Sequence, residues 1–293
     1  MEKIIVIGLG LIGGSLALDL KSRRSFEVWG IDKNPEHVTK ALELGIIDKK
    51  VDFSEIEKAS IVIIAVPVDK IAKVTKEVLE RVAGDTLVFD VGSVKKEICE
   101  EIEHHINRKN FVAAHPLAGT EFSGPQAAIL NLFDDKVNII CQPEKSNWRI
   151  LDKALSLFKV LNMRIKMMDP VEHDRHIAYV SHLSHVSSFM LGKTVLEIEK
   201  NEEAIFDMAS TGFASTVRLA KSSADTWTPI FMGNKENLIK SLDEYIKNLT
   251  QFKEYVVNEN VAMLNKTMND TNYIKSILNG IEKDSKKVKK KLN

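Results

Sequence analysis

The sequence predicts an α/β protein: a doubly wound, mainly parallel sheet followed by an all-helical domain. Three observations carry this. Short apolar runs alternate with amphipathic helical stretches over the first 168 or so residues. A glycine-rich turn joins the first apolar run to the first helical stretch. Beyond Asp169 the strand pattern stops and helical periodicity continues to the end.

In chain order, strands are expected at Ile4–Ile7, Glu27–Ile31, Ile61–Val66, Thr86–Val91, Phe111–Ala114, Val137–Cys141 and Met163–Met167. Helices are expected between them at Gly13–Lys21, Glu36–Leu44, Asp69–Val82, Val94–Asn107 and Trp148–Leu161. Asp169-Pro170-Val171-Glu172 is a helix start, with aspartate as cap, proline in the first turn and glutamate three residues after the cap. No breaker follows until about Glu199, and roughly thirty residues at 1.5 Å each span about 45 Å. Further helical segments are expected at 202–209, 214–222, 226–231 and 235–268. This divides the chain into residues 1–168, residues 169–280 and a tail, 281–293. That tail carries six lysines from Glu282 onward and reads as a solvated end.

Composition excludes several classes. Among 293 residues, 41 lysines and arginines balance 41 aspartates and glutamates, so no global field recruits nucleic acid or an anionic membrane. The longest apolar run, Ile61 to Val66, is too short to cross a bilayer. Cys99 and Cys141 belong to no pairing or metal motif, which suits a reducing cytoplasm. The first strand begins by Lys3, so no secretory leader is expected.

The glycine turn is Gly8-Leu9-Gly10-Leu11-Ile12-Gly13, and it sits between strand and helix as a Rossmann-type dinucleotide site requires. Its first glycine permits a tight turn, its second lets backbone approach a pyrophosphate, and its third allows close helix–strand packing. The helix N-terminus then meets the phosphates with free N–H groups. Asp32, ending the second strand, is placed to accept from a ribose 2′-hydroxyl and to repel a 2′-phosphate. This favours NAD over NADP, a preference that Lys33 and the Arg23–Arg24 pair moderate. Val66 and Pro67 end the third strand on the same edge.

His115 ends the fifth strand, where open α/β sheets place their ligands, and the segment His115-Pro116-Leu117-Ala118-Gly119-Thr120-Glu121-Phe122-Ser123-Gly124 follows. Beside a nicotinamide such a histidine suits a general base, and activity would fall in acid as it protonates near its reference value of about 6.5. Ser93, after the fourth strand, caps the next helix or donates toward substrate or His115; both readings stand. Within the long helix Asp174, Ser181, His185 and Ser188 share one face, a polar stripe that favours a ligand for His185 and leaves His182 as a core histidine. With no carboxylate or cysteine in their turn, the two histidines do not suit a metal. Arg218 offers a planar fork for a carboxylate if it stands near the other motifs, and is otherwise a surface arginine.

These residues resemble the prephenate dehydrogenase family, together with the related arogenate and cyclohexadienyl dehydrogenases of tyrosine biosynthesis. The resemblance runs from Ile4 to about Lys275. It rests on GLGLIGGS (8–15), GSVK (92–95), HPLAGTEFSG (115–124), SHLSH (181–185) and GFASTVRLAKS (212–222) with Trp227. It implies NAD-dependent oxidative decarboxylation of prephenate to 4-hydroxyphenylpyruvate, with His115 as base and Ser93 in support. It also implies that His185 and Arg218 hold substrate carboxylate and side-chain groups. Glu121 and Asp174 match polar positions that shape the pocket, and Thr120 serves either substrate or loop. A homodimer built on the helical domain is implied as well. With neither a mutase segment nor a regulatory domain expected, tyrosine feedback would act by competition at the active site. Ser184 replaces a proline common in SHLPH, and Ser215 stands where an aspartate is frequent.

Two other readings are separable. The β-hydroxyacid dehydrogenases resemble one another in a catalytic lysine on the long helix, and here no lysine lies between Asp169 and Leu191. A non-catalytic NAD-binding sensor would bind nucleotide without turnover and have little use for His115.

Overall fold

The computed structural model describes residues 2–23, 26–199 and 205–279. Its eight strands are β1 (Glu2–Ile7), β2 (Phe26–Ile31), β3 (Lys49–Lys50), β4 (Ile61–Ile64), β5 (Leu87–Asp90), β6 (Phe111–Pro116), β7 (Val137–Cys141) and β8 (Arg164–Met168). They form one sheet in the order β3-β2-β1-β4-β5-β6-β7-β8. Every adjacent pair is parallel except β6 and β7. The chain reverses direction across the sheet between β1 and β4, which opens a crevice at their C-terminal ends.

Central strands are continuous apolar runs because both faces are covered. Ile4 and Val6 pack into one core layer, and Ile5 and Ile7 into the other. Each fully buried isoleucine or valine contributes roughly 1.5–3 kcal/mol. The flanking helices are α1 (Leu11–Arg23), α2 (Pro35–Glu43), α3 (Val68–Leu79), α4 (Lys96–Glu101) and α5 (Trp148–Val160). Their starts are chemically marked: the Asn34 side chain accepts from the Glu36 amide ahead of α2, and Asn147 accepts from Arg149 ahead of α5.

The helical part opens with α6 (Pro170–Ile177), capped by Asp169, whose carboxylate accepts from the Val171 and Glu172 amides. A π-helical turn, Ala178–His182, leads into α7 (Leu183–Glu199). Then come α8 (Thr211–Thr216), a 3₁₀ turn Arg218–Lys221, α9 (Ala224–Gly233), α10 (Lys235–Val257) and α11 (Val261–Thr271). The chain divides into two compact units, Met1–Leu238 and Ile239–Asn293. No helix among the described residues is long and apolar enough to cross a membrane. Cys99 and Cys141 are free and buried, and burial pushes both thiols up to about 12.

Several elements depart from expectation. The helix expected at Val94–Asn107 is only Lys96–Glu101. Past it, Asn107 engages Leu79 and His105 through its side-chain and backbone N–H groups, which competes with a further helical turn. The two-residue strand β3 is too short to leave a pattern. The long helix keeps its extent, but the π turn shifts its register midway. The stretch 235–268 breaks at Glu259 (φ 51°), and the Asn260 side chain accepts from Met263 to start α11. Within 202–209, Ile205–Met208 is a 3₁₀ turn, while 202–204, Arg24 and the tail 281–293 lie outside the described residues.

Candidate active site

Four loops meet the C-terminal edge of the parallel strands: Gly8–Gly10 after β1, Val66–Pro67 after β4, Gly92–Ser93 after β5, and the segment that His115 begins at the end of β6.

The first of these fits a dinucleotide. Gly8 sits at φ +95°, and a Cβ there would lie 2.4 Å from the Ala65 carbonyl oxygen. A Cβ on Gly13 would fall 2.0 Å from the Gly8 oxygen, so β1 and α1 meet this closely only through glycine. Gly10 is the reverse case, with open space where its Cβ would be, as backbone approached by a ligand requires. Leu11 and Ile12 begin α1 and present its N-terminal end to that space.

Asp32 closes the loop from the side. Its Oδ2 accepts from the Leu9 amide at 2.8 Å and its Oδ1 from Asn34 at 2.8 Å. His37 Nδ1 stands 3.4 Å from the same carboxylate. Arg23 is engaged elsewhere, donating to the Val160 carbonyl, Asn131 and Asp134. It is therefore not the cation near Asp32 that the sequence suggests.

His115 is 7 % exposed. Its Nδ1 lies 2.8 Å from Nε2 of His173, and His173 Nδ1 lies 2.7 Å from Oδ1 of Asp174. The Asp174 carboxylate in turn accepts from the Lys95 and Lys96 amides at 2.8 and 2.9 Å, and so caps α4 from α6. Under β6, the fully buried Lys95 Nζ pairs with Asp90 and donates to the Ala114 carbonyl at 2.8 Å. Asp90 Oδ1 receives the Ala114 amide at 3.2 Å. Removing either partner of this ion pair alone would cost about 3–5 kcal/mol.

Burial is the main cause holding His115 well below its ordinary value, and the neighbouring His173, Lys95 and His182 add to it. The reference value near 6.5 that the sequence suggests therefore does not carry over.

Ser93 does not cap α4, because Asp174 takes that task. Its hydroxyl oxygen is buried and has no hydrogen-bond partner among the described residues, which leaves it for a ligand.

The remaining expected residues fall into two groups. Asp174 is 2 % exposed and belongs with His115 and α4; it does not line an open pocket. The register shift at the π turn separates it from His185 and Ser188, which the expected stripe had joined. His185 is half-buried, donates from Nδ1 to the Ser181 carbonyl at 3.0 Å, and stacks on Trp227 with ring centroids 3.4 Å apart. Burial lowers its pKa first, against its hydrogen bond to the Ser181 carbonyl, which raises it, and Arg218 lowers it further. Ser188 Oγ donates to the Thr216 carbonyl and accepts from the Ala220 amide, each at 3.1 Å, tying α7 to the segment that carries Arg218.

Arg218 Nη1 reaches Glu121 Oε2 at 3.2 Å. Thr120 serves its own loop, its hydroxyl accepting from the Phe122 amide at 3.3 Å. Glu121, Phe122, Gln126, Lys221 and Ser223 line a cleft of about 530 Å³. His182 is a core histidine, as the sequence favours. It is fully buried against Trp227 and Phe231, and burial pushes it down to about 4.

Sequence reasoning missed His173 and gave Lys95 no separate role. His173 stands one residue before the polar stripe, and its adjacency to Asp174 was the only signal available.

A dinucleotide-type parallel sheet, a buried histidine at its ligand edge and a helical partner define an NAD-dependent dehydrogenase. Comparison with known proteins makes this specific. Residues 16–167 match the family model "Prephenate dehydrogenase, nucleotide-binding domain", and residues 169–270 match "Prephenate dehydrogenase, dimerization domain". The chain belongs to the prephenate dehydrogenase family. It is 31 % identical over 268 residues to a prephenate dehydrogenase of Bacillus subtilis, covering 90 % of this chain and 72 % of that protein. The crystal structure of prephenate dehydrogenase from A. aeolicus, in complex with hydroxyphenyl propionate and NAD+, superposes with TM-score 0.86 at 30 % identity, covering 95 % of this chain and 98 % of that one. Synechocystis arogenate dehydrogenase superposes with TM-score 0.75 at 28 % identity over 94 % of this chain and 99 % of that one.

Proposed function

We propose that this protein oxidises and decarboxylates prephenate to 4-hydroxyphenylpyruvate, with NAD as oxidant. The observation that carries the reading is His115: a buried histidine of depressed pKa stands one residue before the end of β6, beside the nucleotide loops. Residues 1–168 hold the nucleotide, with Gly8, Leu9, Gly10, Leu11, Ile12 and Gly13 at the pyrophosphate. Asp32 meets the ribose, and Val66 and Pro67 lie along the cofactor edge. Residues 169–280 supply the substrate side and the dimer contact, and the two family models abut at the same point.

Bound NAD accepts hydride from the ring carbon that bears the hydroxyl. His115 takes the hydroxyl proton as that carbon becomes a carbonyl, and Ser93 donates to the same oxygen. The ring carboxylate then leaves as carbon dioxide, and its bonding pair enters the ring. The oxygen regains its proton from His115, so a phenol forms and no net proton is released. Arg218 pairs with a substrate carboxylate in place of Glu121, and His185, backed by Trp227, contacts the side chain. Tyrosine shares the product's ring and side-chain length and would compete for these contacts. Two unpaired buried thiols accord with a cytoplasmic setting.

The test offers purified protein prephenate or arogenate, each with NAD or NADP, and follows reduced nucleotide. Fastest turnover with prephenate and NAD is expected. Faster turnover with arogenate would reassign the substrate, and no turnover in any mixture would overturn the activity.

A further inference from the structure

A histidine with two ring nitrogens is a usable base only if the correct one carries the lone pair. In this fold that choice is made by a neighbour. His173 and Asp174 are 1 % and 2 % exposed, and with His115 they form one unbranched line: Asp174 Oδ1, His173 Nδ1, His173 Nε2, His115 Nδ1.

The proton positions follow from the two ends of this line. Both Asp174 oxygens already accept backbone N–H groups, from Lys95 and Lys96, so the group meets His173 as an acceptor. A carboxylate 2.7 Å from His173 Nδ1 requires a proton on that nitrogen. Neutral His173 then has its lone pair on Nε2. The 2.8 Å contact with His115 Nδ1 can be a hydrogen bond only if His115 donates it. His115 is left with its lone pair on Nε2, the nitrogen facing away from His173.

We propose that His173 is a positioning residue: it holds the His115 proton on Nδ1 and so assigns Nε2 as the nitrogen that meets the substrate hydroxyl. The proposal rests on His115 being the base, as above. Asp174 fixes the tautomer of His173 while capping α4, so the line is anchored to the segment carrying Ser93 and Lys95. When His115 becomes an imidazolium during turnover, its Nδ1–H stays directed at His173, and the Asp174 carboxylate lies one ring beyond. The contact thus keeps the ring in one orientation while Nε2 takes up and returns the proton, with no transfer to Asp174.

The test has two independent readouts. In protein labelled with ring-¹⁵N histidine, at a pH above the ordinary imidazole range, the His115 resonances, assigned by their loss in His115→Asn, report which nitrogen is protonated. The Nδ1–H tautomer is expected in the unmodified protein, and a mixture or the Nε2–H tautomer in His173→Leu. On prephenate, His173→Leu should lower kcat by about 10²–10⁴-fold with KM little changed. His173→Gln, whose amide oxygen can accept the same N–H, should recover most of that loss and restore the tautomer. An Nε2–H tautomer in the unmodified protein, or undiminished kcat in folded His173→Leu, would overturn the proposal. Should His173→Leu not fold, the unmodified protein and the Gln variant still decide. Failure of the functional reading would look different, as absent turnover with the tautomer intact.

Discussion

Arg218 Nη1 and Glu121 Oε2 stand 3.2 Å apart, joining the 3₁₀ turn after α8 to the loop that His115 begins. About half of the arginine side chain remains exposed (53 %), and a surface pair of this kind is worth only about 0–1 kcal/mol. A substrate carboxylate can therefore displace Glu121 at little cost and gain a bidentate, charge-assisted contact. Arg218→Ala should raise KM for prephenate by about 10–100-fold, the equivalent of roughly 1.5–3 kcal/mol, while changing kcat much less. Steady-state kinetics decide it, and an unchanged KM would place the carboxylate elsewhere.

His115→Asn removes the base but retains a neutral polar side chain of similar reach. Turnover should drop by about 10²–10⁴-fold. Binding of NAD, measured by calorimetry, should be unaffected, since the contacts of the glycine loop and Asp32 do not involve β6. Near-normal turnover would remove His115 from the mechanism.

The pH dependence should depart from that of an ordinary histidine. His115 is held well below its usual value, first by burial and then by His173, Lys95 and His182, with Asp174 and Asp90 completing the charged surroundings. Its neutral form thus persists in acid, and the acidic limb of kcat/KM should fall clearly below about 6.5. Stability follows the same sign. His182, pushed down to about 4, contributes stability that is fully present above the unfolded value of about 6.5 and lost as pH falls toward 4. The gap corresponds to roughly 3 kcal/mol at most, and His115 acts in the same direction. Denaturant titrations at neutral and acid pH should show it, and equal midpoints would contradict it.

Much of this was legible in short-range pattern. Gly8 and Gly13 announce a close turn because no side chain fits there, and Asp169-Pro170 announces a helix because cap and first turn are adjacent in sequence. Position at the end of a buried strand is equally local, and it picked out His115. What stayed hidden depends on long-range packing. Asp174 reads as one member of a polar stripe, yet its oxygens serve amides 78 and 79 residues away. A periodicity argument assumes 3.6 residues per turn, and the π turn at Ala178–His182 violates that between Asp174 and His185. His173 lay off the stripe and drew no attention, though it touches the base. Ser93 was legible in place but not in task, because the group that caps α4 arrives from α6.

Asp32 has two tasks, and separating them gives the last test. One is the proposed selectivity, in which the carboxylate would accept from a ribose hydroxyl and repel a phosphate there. The other is architectural: the same Oδ2 that would face the ribose accepts the Leu9 amide at 2.8 Å, so the carboxylate also holds the glycine loop. Asp32→Ala removes both. NAD should lose affinity through the missing ribose contact and the loosened loop together, by about 10–100-fold in kcat/KM if one or two charge-assisted hydrogen bonds are involved. NADP suffers the loosened loop but is relieved of the repulsion, so its kcat/KM should change far less and the NAD/NADP ratio should narrow. Asp32→Asn keeps a neutral carbonyl acceptor for Leu9 and removes the charge; it should retain more NAD activity than Asp32→Ala while narrowing the ratio in the same way. An Asn variant that keeps the full ratio would mean that selectivity does not reside in the Asp32 charge.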